Sequence, residues 1–550
     1  MPVYEAGRSH SGNGRERVAD TQRLRAEDGV LGPEQSSSPT QCGERLVTTI
    51  RPLTILVTVL AACTSQRDAS SSSDSAATGA SSVAAAPDTA RIDRVFSALR
   101  PPVEVAGKPP VRWTLAERMA HYNVPGISIA VVEGGRLSWA RGVGLEQAGT
   151  TDSVTPTTLF QAASISKPVT ATGMLRLVER GTLDLDADVN RYLTSWKVPD
   201  NKFTATEKVT LRRIVSHTAG LTVHGFPGYS PKDPMPTVVQ VLDGKKPANT
   251  AAVRVDTTPG AISRYSGGGT TIMQQLLVDV TGRPFPALMQ ELVLGPAGMS
   301  NSTFEQPLPA ARAGDASRAH DAKGKMVPGG WHVYPEMAPA GLWTTPTDLT
   351  NWALAITAAR AGKSTTLLSQ PMVAQMLTPV KDGIGLGPFV GGTGRNFHFG
   401  HGGANEGFHS QLVMYPELGV GAAVMTNGDG GPELIGEVLR ALAAEYQWQD
   451  YAAKQVTTVA LEPAAIAGLL GTYLLRTGPG IRAEVRRDGD KLMLTAPQIP
   501  AQELLAESDT SFVTSTLGWR VTFARDASGK ATGLTVFLDS GPQLQGSRVP

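Results

Sequence analysis

The sequence predicts an α+β domain followed by a small all-β domain, and three observations support this prediction. Strand-like segments lie at both ends of residues 91–450, around a helical middle, which is typical of one sheet closed by both ends of the domain. After Val456 the chain has only short alternating segments, separated by Asp-Gly and Ser-Gly turns. The length of 550 residues also exceeds one ordinary core and agrees with two domains plus unfolded ends.

The composition narrows the class of protein. A mean hydropathy of −0.10 and a net charge of +1 describe a soluble globular protein. No clustered basic residues are present, so a nucleic-acid partner is not expected. Cys42 and Cys63 are the only cysteines, which argues against a disulfide framework or a thiolate metal cage.

The N-terminal region indicates export. Residues 1–46 are polar and Gly- and Arg-rich, with no apolar periodicity, so we expect a disordered leader. Residues 47–63 contain an apolar run from Leu53 to Ala62 that is too short to span a bilayer but fits a signal peptide. The alternative, a buried strand, is disfavoured by the flanking charge. The Ser/Ala-rich residues 64–90 are typical of a flexible tether.

The end of the apolar run, LAAC, resembles a bacterial lipobox. This resemblance implies that Cys63 carries a lipid and anchors the protein to the membrane on the periplasmic side. Signal peptides begin near the initiator, whereas some forty polar residues precede this one. Our hypothesis is that synthesis starts near Leu46 or Val47.

Within residues 91–450 several elements can be predicted. Gly126 to Gly144 alternates as two strands with a hairpin turn at Gly134-Gly135. Ser164 to Arg180 has helical periodicity. His409 to Asn427 indicates two further strands, and Gly436 to Tyr446 an amphipathic helix.

Residues 456–550 form the second predicted domain. The alternating segments EVRRDGDKLMLTA and RVTFARDASGKATGLTVFL favour a β-barrel or a β-sandwich. No catalytic set of residues stands out in this region.

Ser164 and Lys167 are the first candidate pair for chemistry. On a helix, residues three apart share a face, so the hydroxyl and the amine can meet. A serine hydroxyl needs a base, and a lysine with a shifted pKa can supply one. The motif S-x-x-K alone is weak, because a solvated Ser and Lys on a helix surface give the same pattern.

Two further motifs strengthen the pair. Tyr265-Ser266-Gly267 lies in a Gly-rich turn that leads into a helix, and His401-Gly402-Gly403 precedes a strand near the end of the domain. The order S-x-x-K, Y-x-N-like, H-x-G resembles the signature of penicillin-recognising serine enzymes, and it is most similar to class C β-lactamases and the related esterases, D-aminopeptidases and DD-peptidases. The segments LRRIVSHTAGL, LGPAGMSNSTF and APAGLWTTPTDLTNW support the resemblance over residues 112–447. It implies a β-lactamase/transpeptidase-like fold for the first domain.

The resemblance also implies roles for these residues. Ser164 forms the acyl-enzyme, Lys167 and Tyr265 transfer protons, and His401 stands where most β-lactamases have a lysine. The backbone N–H groups of Ser164 and Ala404 form the oxyanion hole, and the neighbouring substrate-binding positions are Gly402, Gly403 and Gly267.

This sequence departs from the pattern at two positions, because Gly267 replaces the Asn of the second motif and His401 the usual Lys. Both departures favour an esterase or a peptidase over a β-lactamase. The substrate class stays open between esters, D-amino-acid peptides, including peptidoglycan-like ones, and β-lactams. A different class of function is a cell-wall or β-lactam sensor that is acylated once, and an inert structural lipoprotein is a third.

No metal or other cofactor is expected. His398 and His401 lie three apart on an extended chain and face opposite sides, so they do not converge with His409 on one ion. Neither HExxH nor CxxC accompanies them. His217, in SHTAGL, is interpreted as a structural residue at a helix end.

Overall fold

The computed structural model describes most of the chain, namely residues 88–476, 480–497, 499–538 and 543–549. The predicted leader, the signal peptide with Cys63, and the tether up to residue 87 lie outside these ranges. The first described helix begins at Thr89, inside the predicted tether, and the Asp88 side chain caps it. Within the described ranges, no helix is long and apolar enough to cross a membrane.

The described helices and strands are numbered along the chain. The helices are α1 (Thr89–Phe96), α2 (Leu115–His121), α3 (Ser166–Glu179), α4 (Leu211–Val215), α5 (Val238–Asp243), α6 (Gly267–Thr281), α7 (Phe285–Met289), α8 (Met337–Ala340), α9 (Pro346–Arg360), α10 (Gln370–Met376), α11 (Gly431–Tyr446) and α12 (Pro463–Leu469). The strands of the first domain and its connection to the second are β1 (Val103–Val105), β2 (Gly126–Glu133), β3 (Arg136–Gly144), β4 (Phe160–Gln161), β5 (Trp343–Thr344), β6 (Phe389–Gly391), β7 (His398–Asn405), β8 (Phe408–Tyr415), β9 (Val420–Thr426) and β10 (Lys454–Val456). The remaining strands are β11 (Gly471–Leu475), β12 (Ile481–Asp488), β13 (Lys491–Ala496), β14 (Ile499–Ala506), β15 (Ser511–Thr514), β16 (Arg520–Arg525), β17 (Ala531–Phe537) and β18 (Leu544–Val549).

A six-stranded antiparallel sheet, in the order β3-β2-β9-β8-β7-β6, joins the two ends of the first domain. β2 and β3 come from its start and β6 to β9 from its end, and Ile127 of β2 pairs with Thr426 of β9. The α+β prediction is therefore confirmed. The hairpin turn also lies where it was predicted, with φ of +58° and +73° at Gly134 and Gly135, values that suit glycine.

Helices cover both faces of this sheet, which explains why its strands are apolar on both sides. On β9, Ala422 and Val424 belong to the core formed with α1 and α11, whereas Ala423 and Met425 belong to the core that contains α9. Successive residues of a strand face opposite sides, so two cores form from one continuous apolar run. The larger core also encloses α3 and α6, the helices that follow the first two motifs.

Two elements differ from the predictions. α11 begins at Gly431 rather than Gly436, because Pro432 is tolerated in the first turn of a helix. The segment His401-Gly402-Gly403 precedes a strand, β8, as predicted, but it also lies within a strand of its own, β7, that was not predicted. Its glycines obscured the strand, since glycine is uncommon in strand interiors unless another backbone approaches closely.

The C-terminal domain is a closed antiparallel barrel in which β11 to β18 pair in sequence and β18 returns to β11. Alternate residues such as Tyr473 and Leu475, or Leu492 and Leu494, fill its interior. Of the two predicted architectures, the barrel is the one found. Next to the barrel, β1 pairs in parallel with β10, and Val103 and Val456 pack on Val513 of the barrel.

Candidate active site

Ser164 lies in a tight turn between β4 and α3. A single 3-10 turn, Ala163–Ile165, leads directly into the helix. Ala163 has φ +47°, a left-handed conformation that costs a residue with a side chain on the order of 1–3 kcal/mol. Hydrogen bonds of the preceding residue hold this turn: the Ala162 amide donates to the Leu342 carbonyl (2.8 Å), and Ser410 Oγ donates to the Ala162 carbonyl (3.1 Å).

Lys167 lies one turn further along and reaches the serine. Its Nζ donates to Ser164 Oγ at 2.9 Å and to the Pro339 carbonyl at 3.0 Å. The Lys167 side chain is buried, and removal of water from the ammonium lowers its pKa to about 7. A large fraction of the amine is therefore neutral at neutral pH and can accept the hydroxyl proton across the 2.9 Å contact.

Tyr265 also lies beside Lys167. It directly precedes Ser266, the N-cap residue of α6. Lys167 Nζ lies 4.8 Å from the centroid of its ring. Ser266, next in the chain, caps α6 by accepting from the Gly269 amide, which fixes the start of this helix. The ring of Phe389 in β6 lies parallel to Tyr265, with centroids 6.4 Å apart.

His217 is the nearest imidazole to Tyr265, with ring centroids 4.3 Å apart. Its Nδ1 accepts a hydrogen bond from the Ser266 amide at 3.2 Å, so the same side chain contacts the tyrosine ring and the following backbone. Burial and the nearby Lys167 charge hold the pKa of His217 well below its ordinary value. His217 is thus a neutral residue that contacts the Tyr265 ring. Its place in the sequence, just after α4, does not indicate this contact.

His401, in β7, also lies near the tyrosine, with ring centroids 6.1 Å apart. Its Nδ1 lies 2.5 Å from the Gly402 carbonyl, while Nε2 has no hydrogen-bond partner among the described residues. Burial, together with the charge of Lys167, lowers the pKa of His401 to about 3. His401 is therefore uncharged at neutral pH and does not provide the cation of the lysine that it replaces.

The glycines of β7 allow the strand to lie against the Ser164 turn. A Cβ on Gly403 would be 2.2 Å from the Ala162 carbonyl oxygen and 2.4 Å from Ser410 Oγ. β6 pairs with β7 only at residues 398–400, so along the described strands the edge from His401 to Asn405 faces the turn. This places the segment from Gly402 to Ala404 beside the Ser164 turn.

Gly267 was predicted to be a substrate-binding position, but a neighbouring loop packs against it. Its own N–H donates to the His224 carbonyl at 2.9 Å. A Cβ at this position would lie 3.0 Å from that carbonyl oxygen and 3.0 Å from the Phe226 ring. The loop that contains His224 and Phe226 therefore occupies the space that a side chain at position 267 would need.

The structure brings Ser164, Lys167, Tyr265 and His401 into one site, and the β7 glycines lie at its edge. Residues that contribute a carbonyl or a ring face could not be predicted from the sequence: Pro339, His217, His224 and Phe389. Pro339 and His217 lie in two of the segments that support the family resemblance, but the sequence pattern does not indicate their contacts. Within the described ranges, no group of three or more His, Cys, Asp or Glu residues could hold a metal ion.

Comparison with known families agrees with this geometry. The model of the family described as "Beta-lactamase" matches residues 111–446. The chain belongs to the beta-lactamase family. Homologues with the beta-lactamase fold are hydrolases. The matched segment of this chain contains every predicted catalytic residue.

Individual relatives are distant from this beta-lactamase-family chain. Penicillin-binding protein 4 of Amycolatopsis lactamdurans is 26% identical over 367 residues, which cover 64% of this chain and 93% of that protein. The unguisins hydrolase ungD of Aspergillus violaceofuscus is 26% identical over 353 residues, 56% of this chain and 59% of its own length. The octameric penicillin-binding protein homologue from Pyrococcus abyssi has a similar fold, with a TM-score of 0.54, 21% identity, and coverage of 79% of this chain and 98% of that one.

The pKa of Lys167 predicts how activity depends on pH. With the neutral amine as the base, log kcat/KM for an ester should rise with unit slope below pH 7, where the amine of pKa about 7 loses its proton. Lys167→Ala should lower kcat/KM about 10²–10⁴-fold and abolish this rise. Stopped-flow measurements across the pH range, with circular dichroism to check folding, test this. An unchanged rise in Lys167→Ala would assign the base to another residue.

Proposed function

We propose that the protein is a serine hydrolase that forms an acyl-enzyme on Ser164 and acts on esters or D-amino-acid peptides in preference to β-lactams. The observation that carries this proposal is the 2.9 Å contact between Ser164 Oγ and a buried lysine whose pKa is lowered to about 7. A serine beside an ordinary surface lysine would have no base at neutral pH.

In the proposed reaction, Lys167 takes the Ser164 proton while Oγ bonds to the substrate carbonyl carbon. The resulting oxyanion accepts hydrogen bonds from the N–H groups of Ser164 and Ala404. The bond to the leaving group then breaks, and that group receives a proton from Lys167, with Tyr265 assisting. Water attacks the acyl-enzyme in the second half, gives its proton to the same base, and releases the acid as Ser164 Oγ recovers its proton.

The electrostatics of the site favour substrates without a carboxylate next to the reacting bond. His401 is neutral, with a pKa lowered to about 3, and Lys167 is only partly charged at pH 7. A hydrogen bond from a charged group contributes about 1.5–3 kcal/mol, and neither residue supplies a permanent one. The name of the relative ungD, a hydrolase of unguisins, also supports hydrolysis rather than binding alone.

The order of substrate preference follows from this. Short p-nitrophenyl esters need only the nucleophile, the base and the oxyanion hole, so they should be hydrolysed with a kcat/KM at least about tenfold above that for cephalosporins. Chromogenic assays on both substrate types, with Ser164→Ala as the blank, measure the ratio. A cephalosporin value equal to or above the ester value would contradict the preference. Stoichiometric acylation without product release from either substrate would favour the sensor.

We also propose that the protein is exported and held at the periplasmic face of a membrane by a lipid on Cys63. The support is the apolar run that ends in LAAC, followed by the Ser/Ala-rich residues 64–90.

Replacement of Cys63 tests this anchor. Cys63→Ser should move the protein from the membrane fraction to the soluble fraction or leave the unprocessed precursor, because the acyl chains have no attachment point. Fractionation and intact mass measurement distinguish the forms. A mature wild-type protein with an unmodified Cys63 would rule out the anchor.

A further inference from the structure

Glu336 is a buried carboxyl group at the start of α8 that the proposed reaction does not use. The residue is 0% exposed, and its Oε1 lies 3.5 Å from the Tyr229 hydroxyl, which donates to it. Its Oε2 has no hydrogen-bond partner among the described residues. Because burial disfavours the carboxylate, the pKa of Glu336 is raised to about 7.

The titratable groups that face Glu336 carry no compensating charge. They are the phenols of Tyr229 and Tyr334. α8 packs against α3 and α6, whose titratable residues are Lys167, Arg176, Glu179 and Asp279. The last three are bonded elsewhere, to Leu292, Ser369 and Ser195 respectively. Lys167 is directed to Ser164 and to the Pro339 carbonyl.

The short helix α8, which begins after Glu336, accepts hydrogen bonds from the catalytic helix α3. Besides the bond from Lys167 to Pro339, Thr170 Oγ1 donates to the Ala338 carbonyl at 3.3 Å. On the opposite side, the Gln274 side chain of α6 accepts from the Ala338 amide at 2.8 Å and donates to the Pro335 carbonyl at 3.0 Å. A shift at the start of α8 therefore changes the position of the carbonyl that orients the lysine amine.

Tyr229 connects the same point to the 223–250 loop, a connection that includes the short helix α5. Its backbone exchanges two hydrogen bonds with Val333, of 2.9 and 2.7 Å, and its hydroxyl accepts from the Asn249 amide at 3.2 Å. The loop also contains His224, whose ring lies 4.9 Å from Tyr265. Glu336 and Tyr229 thus connect the 223–250 loop, which contacts Tyr265, with α8, whose Pro339 carbonyl orients Lys167.

We propose that Glu336 is a positioning residue that holds α8 and the 223–250 loop in the active arrangement only while its carboxyl group is protonated. The neutral acid remains in its dry environment with Tyr229. Ionisation leaves a buried carboxylate whose donors are its own backbone N–H and the Tyr229 hydroxyl at 3.5 Å. The charge draws in water or moves the side chain outward, and the Pro339 carbonyl moves with α8. This inference rests on the proposed acylation of Ser164.

The test is the pH dependence of Ser164 labelling by a fluorophosphonate, in which the Ser164 Oγ–P bond forms and fluoride leaves. The wild-type rate should rise up to pH 7 with Lys167 and then fall at least about tenfold by pH 9, as Glu336 loses its proton. Glu336→Gln should keep the rise and lose the fall. Tyr229→Phe should move the fall to higher pH, because the phenol that stabilises the carboxylate is gone.

A stability measurement and a control complete the test. The folded protein binds the Glu336 proton more tightly than the unfolded chain, so wild-type stability should fall as the pH rises from about 4.5 to about 7. Glu336→Gln should therefore raise Tm at pH 8 but not at pH 4. Glu437→Gln, which changes a buried carboxyl paired with Arg118, should leave the alkaline fall as in wild type.

The failures are distinguishable. The same labelling profile in wild type and Glu336→Gln, even with the Tm gain at pH 8, would show a merely structural role and overturn the inference. No labelling of Ser164 at any pH would overturn the proposed function, and the inference with it.

Discussion

The removal of Lys167 from water is the constraint on which the candidate site depends. An ammonium group in a dry environment without a carboxylate is disfavoured, so the pKa of the amine falls to about 7 and it becomes a base. This requires two neutral partners in fixed places, the Ser164 hydroxyl and the Pro339 carbonyl. The packing of α3 on α8 and of the Ser164 turn on β7 supplies both, and the strained turn at Ala163 directs the serine toward the amine.

The rest of the site is built from uncharged groups around this lysine. His217 and His401 both lie near Tyr265, and burial keeps the pKa of each below its ordinary value. An additional cation there would repel the charged form of Lys167 and be repelled by it. In the proposed reaction the first proton transfer is therefore from a neutral hydroxyl to a neutral amine, and recognition of a charged substrate group is left to residues outside the site.

Local patterns made part of this predictable. The sheet could be inferred from the apolar runs of β2, β8 and β9. Helix α3 and the candidate nucleophile–base pair could be inferred from the helical spacing of Ser164 and Lys167. β7 was missed as a strand because its glycines are selected by close approach to Ala162 and Ser410, which are distant in sequence. Pro339, His217 and Glu336 act through a carbonyl, a ring face and an enclosed carboxyl group, and these depend on tertiary packing. The choice between barrel and sandwich depended on the pairing of β11 with β18, which no local pattern encodes.

The central claim is that Ser164 becomes covalently acylated. Rapid acid quenching of the protein with a p-nitrophenyl ester, followed by peptide mass spectrometry, measures this directly. The account predicts one added acyl group on the peptide that contains Ser164, appearing before steady-state turnover and absent in Ser164→Ala. Ester turnover that persists in Ser164→Ala, or an acyl group found on another residue of the wild-type protein, would contradict it.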